Sequence, residues 1–300
     1  MIRFGLCCIF RKAPIKFRRT TATYLQKYSR NQQLEYLAEI CTHNAHALQN
    51  ALRYCRDHGI KDFRINSQIL PLKTHPHMGY SMNDLPSHDQ IIHTFKDCGR
   101  FCRKYDIRTT FHPDQFILLS SPKSEVVQRS IADLIYQAEV ARWVNADVIN
   151  IHGGGGYGDK STSLRRLQKR IEQLPQAVRS RLTLENDDRV YTPEDLLPVC
   201  RHMGIPLVYD VHHHRCLPDG NRVEATTELA LGTWNREPLF HLSSPKNGWE
   251  SGNTAPHHDY IDADDFPVCW KHLDITVEVE AKAKELAVLK LMQDLIPNIS

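Results

Sequence analysis

Seventeen histidines in 300 residues would pass as ordinary if they were scattered, but several of them close short apolar runs. His112 ends the run Arg108–His112, His152 ends Asp147–His152, and His241 falls within Leu239–Leu242. Carboxylates close others: Glu185 ends Arg181–Glu185, Asp210 ends Pro206–Asp210 and Glu280 ends Asp274–Glu280. His75 follows the run Asp62–Asn66, His213 comes three residues after Asp210, and His258 lies in the loop after the seventh run. Imidazole nitrogens mixed with carboxylates, without a thiol, suit zinc, manganese or iron(II). The set offers more donors than one tetrahedral ion can use, so two or three divalent ions are expected. Ions held close together stabilise both the attacking and the leaving oxygen of an in-line displacement at phosphorus, without a covalent enzyme intermediate. Glu185, central in the series, is the expected bridge.

Those residues can meet only if the runs that carry them are neighbouring strands. Eight such runs recur: Ile2–Cys8, Asp62–Asn66, Arg108–His112, Asp147–His152, Arg181–Glu185, Pro206–Asp210, Leu239–Leu242 and Asp274–Glu280. Between them, helical periodicity predicts helices over Gln32–His58, Ser87–Tyr105, Ser124–Val144, Ser161–Gln173, Thr192–His202, Arg222–Leu231 and Glu280–Gln293. Ser87 with Gln90 reads as a capping box, and Thr192 with Glu194 as an N-cap and first-turn acid. The alternation predicts one α/β domain over residues 1–300, a closed (β/α)8 TIM barrel with the metal site at the C-terminal ends of its strands. A doubly wound sheet is the alternative, but no Gly-x-Gly-x-x-Gly follows the first strand, and no nucleotide cofactor is expected.

The net charge of +3 hides an uneven distribution. Eight basic residues and no acid precede Glu35, whereas the remainder of the chain has a net charge of −5. A basic loop at about 9–31 interleaves Arg11, Lys12, Arg18 and Arg19 with Pro14 and Phe17, a pattern suited to a phosphate backbone rather than to a helix face. The run Gly153 to Gly158, broken only by Tyr157, lacks the Lys-Ser/Thr of a Walker loop; it suits either close approach of a bulky substrate to His152 or a plain tight turn.

Other features point to simpler roles. Nine scattered cysteines without a CxxC pair indicate reduced thiols, and Cys98 with Cys102 reads as core packing. His43, His46, His58, His77, His88, His93, His202, His257 and His272 are expected to be structural. No apolar run reaches the roughly 18 residues of a membrane span. Met1–Phe10 reads as a core strand rather than a secretory signal, so a bacterial cytoplasmic location, or a nuclear one in a fungus, is expected.

The same stretches resemble the UV damage endonuclease family, a branch of the endonuclease-four-like and xylose-isomerase-like metal barrels. The resemblance runs through Phe63-Arg-Ile-Asn-Ser-Gln68 with His75-Pro76, Phe111-His-Pro-Asp-Gln-Phe116, His152-Gly-Gly-Gly-Gly-Tyr-Gly158 and Leu184-Glu-Asn-Asp187. It continues through Asp210-Val-His-His-His214, Phe240-His-Leu-Ser-Ser244, His258-Asp-Tyr-Ile261 and Val279-Glu-Ala-Lys-Ala-Lys284. It implies a repair nuclease that cuts duplex DNA immediately 5′ to pyrimidine dimers and 6-4 photoproducts; a monomer is expected because the barrel mouth itself must accommodate a bent duplex. Manganese is the ion it implies, with zinc or magnesium as alternatives. By the same resemblance, His112, His152, Glu185, Asp210, His213, His241, His258 and Glu280 are ligands, Glu185 and His75 take part in catalysis, and Gln115 with Phe116 probes the duplex opposite the lesion. Arg11, Lys12, Arg18, Arg19 and Tyr157 complete the expected DNA contacts. The chain departs from the family in two places: Phe116 stands where relatives have tyrosine, and Leu239 where some carry a modified lysine. A sugar isomerase or epimerase is the rival reading; it accounts for the ions but not for the basic loop. A damage-binding protein without catalysis is a second, which the intact donor set disfavours.

Overall fold

The computed structural model describes residues 1–113 and 117–295. Eight parallel strands, β1 (Arg3–Cys7), β2 (Asp62–Ile65), β3 (Arg108–Phe111), β4 (Val148–His152), β5 (Leu182–Glu185), β6 (Leu207–Asp210), β7 (Leu239–Leu242) and β8 (Thr276–Val279), pair in chain order, and β8 closes on β1. The molecule is an α/β TIM barrel, and each expected run contains one strand of it. Closure leaves no edge, and only Arg3, Arg108 and His152 among the strand residues are partly exposed.

Among the described residues, ten helices pack outside the barrel or at its ends: α1 (Ala22–Leu25), α2 (Arg30–Asp57), α3 (His88–Tyr105), α4 (Ser124–Val144), α5 (Lys160–Glu172), α6 (Gln176–Arg179), α7 (Pro193–Met203), α8 (Val211–Cys216), α9 (Val223–Leu231) and α10 (Glu285–Leu295). Apolar side chains such as Phe63, Phe95, Phe111, Leu48 and Val140 fill the layer between barrel and helices. Val148, Val208 and Leu239 form a separate small cluster against Trp234. These three lie early in their strands, so they close the barrel interior at its N-terminal end. No helix among the described residues is long and apolar enough to cross a membrane.

Local signals at helix starts fare unevenly. Thr192 caps α7 with Glu194 in its first turn, as expected, and Asp195, at the third helical position, closes a capping box with it. Ser87 makes no cap bond: its backbone is left-handed at φ 56°, which carries the hydroxyl away from the helix N–H groups. The short α8 was not expected; Asp210 starts it by accepting the N–H of His213 at 2.8 Å.

The basic segment after β1 follows a fixed course. Buried Glu285, at the start of α10, accepts the backbone N–H groups of Arg11 (2.7 Å), Lys12 (2.6 Å) and Ala13 (3.1 Å). Asn44 on α2 grips Arg18 from both sides, accepting its N–H at 2.7 Å and donating to its carbonyl at 3.0 Å. The backbone is thereby spent inside the protein, while Arg11, Lys12, Lys16 and Arg19 face solvent.

Candidate metal centre

Parallel register sets the strand ends level. His152 lies beside Glu185 across β4 and β5, and Asp210 beside His241 across β6 and β7. Seven of the expected ligands converge on this rim: His112, His152, Glu185, Asp210, His213, His241 and Glu280. Their donor atoms form three groups, within 4.8 Å in each: His112, His152 and Glu185; His112, His241 and Glu280; and Glu185, Asp210 and His213. Glu185 belongs to two of them.

Glu185 is fully buried, and both of its oxygens are engaged. Oε2 lies 2.9 Å from His112 Nε2, 4.0 Å from His152 Nε2 and 2.5 Å from the amide donor of Asn150, which Thr183 in turn orients through a 2.9 Å bond. Oε1 lies 3.1 Å from His241 Nδ1 and 3.4 Å from His213 Nδ1. Asp210 Oδ2 is buried without a hydrogen-bond donor among the described residues, although two imidazoles stand at 3.4 Å and 3.9 Å. A carboxylate oxygen left in that state is costly unless a cation meets it, so the residues fit divalent ions.

Charge in the cluster is strongly coupled. Burial works against ionising Glu185, yet the imidazoles of His241, His152 and His112 outweigh it and hold the carboxyl well below its usual range. Burial likewise opposes charging His241, but Glu185 and Glu278 prevail and its pKa rises to about 10. His213 is raised in the same way, burial being overcome by Asp210 and Glu185. His152 goes the other way, because burial exceeds the pull of Glu185. Without ions, the centre thus holds protons where ions would otherwise supply positive charge.

Of the eight expected ligands, His258 lies apart from the three donor groups. An isolated antiparallel bridge joins Pro245 to His257, and the His258 N–H donates to Ser244 at 2.8 Å, so the two adjacent histidines point to opposite sides. His258 is exposed, its Nδ1 accepting the Tyr260 N–H at 3.0 Å, in an outer cleft that includes Trp249 and Leu289. His257 faces inward instead: its Nδ1 is 3.7 Å from Glu280 Oε2 and 3.3 Å from the Ser243 hydroxyl, and its ring centre is 6.2 Å from that of His213.

The other expected residues are spread around the mouth. His75 sits in the loop after β2, outside the three donor groups; its Nδ1 accepts the N–H of His77 and of Met78, both at 3.2 Å. It lines a cleft with Ser67, Gln68 and Pro113, while Arg19 borders a neighbouring hollow that includes Arg64 and His112. Arg18 stacks on Tyr36 at 5.7 Å, and Arg11 and Lys12 lie on the pinned loop. Tyr157 is 44% exposed, with the Arg166 guanidinium 5.8 Å from its ring centre. Gln115 and Phe116 fall outside the described residues. The glycine run has internal reasons: a Cβ on Gly153 would come 2.7 Å from the Tyr191 ring, and Gly154 has φ 86°. Leu239 belongs to the apolar floor and offers no donor.

Sequence reasoning missed a second layer beneath the ligands. Thr110, Asn150, Thr183 and Glu278 each lie two residues before a candidate ligand, and so share its face of the barrel. Arg64, on β2, joins them: it is fully engaged by Glu278 and Glu280, the latter through Nη1 at 2.5 Å. The signal was available in the period-two spacing, but polar residues inside short strands look like interruptions of an apolar run.

Comparison with known proteins agrees with this geometry. The family model described as UV-endonuclease UvdE matches residues 2–299. A UV DNA damage endonuclease from Bacillus velezensis is 36% identical, the alignment covering 98% of this chain and 94% of that protein. The crystal structure of SacUVDE superposes with a TM-score of 0.88 at 28% identity, covering 99% of each chain. Endonuclease IV from Thermus thermophilus, at 13% identity and a TM-score of 0.62 over 97% of each chain, shares the fold. With a family match across almost its whole length and relatives aligned nearly end to end, this chain belongs to the UV-endonuclease UvdE family.

Proposed function

We propose that this protein is a divalent-metal-dependent UV DNA damage endonuclease that hydrolyses the phosphodiester immediately 5′ to pyrimidine dimers and 6-4 photoproducts, as a monomer in the cytoplasm. The observation that carries the reading is Glu185, a buried carboxylate shared between two groups of ligand donors at the mouth of a barrel of this family. Two or three ions, manganese first and zinc or magnesium as alternatives, would be held by His112, His152, Glu185, Asp210, His213, His241 and Glu280, with His257 in the place expected for His258. Bound there, they would supply the positive charge that activates water and stabilises the developing charge on the phosphodiester oxygens.

The protein's own groups do the rest. Asn150 and Thr183 fix the plane of the Glu185 carboxylate. His75, whose Nδ1 is occupied as an acceptor, keeps its proton on Nε2 and can donate it to a phosphate oxygen at the rim. Arg11, Lys12, Arg18 and Arg19 track the backbone, and Tyr157 stacks against the duplex. Gln115 and Phe116 probe opposite the lesion, where a photodimer is poorly stacked and costs little to displace.

The test is nicking of an end-labelled duplex carrying one thymine dimer, with manganese, with EDTA and against undamaged DNA. A manganese-dependent cut just 5′ to the dimer is expected. Alanine at Glu185 or His112 removes the cut while leaving duplex binding largely intact. Equal cutting in EDTA, or nicking unchanged in either variant, overturns the proposal, and turnover of free sugars in place of DNA would favour the isomerase reading.

A further inference from the structure

Glu278 and Arg64 lie beside the candidate ligands, yet neither belongs to a donor group. We infer that they form a positioning pair that turns the Nδ1 lone pair of His241 toward the ions and holds Glu280 in reach; this rests on the metal-dependent reading above.

Glu278 has nothing left to offer an ion. Its Oε1 accepts the Thr110 hydroxyl, while Oε2 receives Arg64 Nε at 2.5 Å and faces His241 Nε2 at 3.0 Å. His241 is fully buried, and its other nitrogen, Nδ1, faces the ligand carboxylates: 3.1 Å from Glu185, 3.6 Å from Glu280 and 3.9 Å from Asp210. An imidazole that ligates through Nδ1 must carry its proton on Nε2, and Glu278 is the acceptor placed to receive it.

Arg64 Nη2 also lies 3.0 Å from His241 Nε2. If it donated there, the proton would move to Nδ1 and His241 would be lost as a ligand. Glu278 Oε2 prevents this by accepting from both groups, so two donors share one oxygen. Arg64 Nη1 meanwhile holds Glu280 Oε1 at 2.5 Å, the same oxygen that faces His241 Nδ1. A planar guanidinium can reach two carboxylates at once with fixed geometry, which a lysine cannot do.

The fold makes room for the pair. β2 and β8 flank β1, where Gly5 is level with Asp62 on one side and Glu278 on the other. A Cβ at residue 5 would overlap the Asp62 carboxylate and come 3.0 Å from Glu278 Cγ. Glycine there leaves room for the Glu278 side chain beside the Asp62 carboxylate.

The experiment is calorimetric titration of Mn2+ into the metal-stripped wild type, Glu278→Gln, Thr110→Val and Arg64→Lys, with circular dichroism of each metal-free protein. Nitrogen-15 imidazole shifts of His241 are read in the Zn2+-loaded wild type as a diamagnetic probe. Glu278→Gln is expected to weaken Mn2+ binding by roughly 10–100-fold. Thr110→Val, which frees one oxygen of Glu278 without unpairing Arg64, should weaken it less and leave the fold intact; it carries the test if Glu278→Gln does not fold. Arg64→Lys should bind Mn2+ more weakly than the wild type, because a lysine does not hold Glu278 and Glu280 together in fixed geometry. Loaded His241 is expected to carry its proton on Nε2. Wild-type affinity in both Glu278→Gln and Thr110→Val, or a proton on Nδ1 of loaded His241, overturns the positioning role while leaving the metal centre standing. A wild type that binds no Mn2+ overturns the centre and the inference together.

Discussion

His257 and His258 are adjacent in sequence but differ in fate because a locally extended backbone sends successive side chains to opposite sides. Only His257 reaches the mouth, 3.7 Å from Glu280 Oε2. His257→Ala should therefore lower manganese-dependent nicking at least about 10-fold, in the range seen when metal-site partners are lost, whereas His258→Ala should leave kcat/KM nearly unchanged. The reverse ranking would return the ligand role to His258. The same rule explains what was legible. Residues that end strands, such as His152, Glu185 and Asp210, stand out because an apolar run stops at them. Arg64 and Glu278 do not, because they interrupt runs, and assigning them requires knowing which face of each strand looks inward. A His-His dipeptide in an irregular loop carries no such phase at all, so the sequence does not show which of the two faces the mouth.

At the scale of elements, α10 controls the basic loop through one carboxylate. Burial alone would raise the pKa of Glu285, but the N–H groups of Arg11, Lys12 and Ala13 outweigh it and hold the carboxyl below its ordinary value. Because the folded pKa is depressed, this stabilisation is fully present above the unfolded carboxylate value of about 4.3 and fades as pH falls through the folded value. Glu285→Gln keeps the shape but exchanges a charged acceptor for a neutral one. Amide exchange at Arg11–Ala13 should accelerate roughly 10-fold at neutral pH, corresponding to about one hydrogen bond's worth of stability. The wild type should show the same acceleration only in acid. Equal protection of the two proteins at neutral pH would mean that Glu285 does not hold the loop. The eight strands were readable because β-branched runs between helical periods are a strong signal, whereas α8 and the Glu285 clasp were not. Six residues are too few to show a helical period, and a side chain that binds backbone 274 residues away leaves no mark in local sequence.

Taken whole, the proposed function would separate two jobs, cutting at the rim of the barrel and holding DNA with the basic segment that precedes α2. The centre should couple to global stability. Ions that bind only the folded chain stabilise it by about 2.7 kcal/mol at a hundredfold excess over Kd, so Mn2+ should raise Tm by several degrees and EDTA should reverse the shift. A melting curve indifferent to millimolar Mn2+ would count against a preformed centre. The basic segment should act through charge alone. Its backbone is already committed to Glu285 and Asn44, so Arg11, Lys12, Lys16 and Arg19 are presented to solvent without further folding. Each phosphate contact removed should flatten the dependence of log K on log salt by about 0.9. Replacing Arg11 and Lys12 by alanine should therefore reduce the slope by about two and weaken binding to damaged and undamaged duplex equally, because phosphate contacts carry no lesion information. Cleavage at saturating DNA should survive, since neither side chain belongs to the donor set. Affinity lost for damaged duplex alone would move these residues from holding the backbone to reading the lesion, and the division of labour between loop and rim would have to be redrawn.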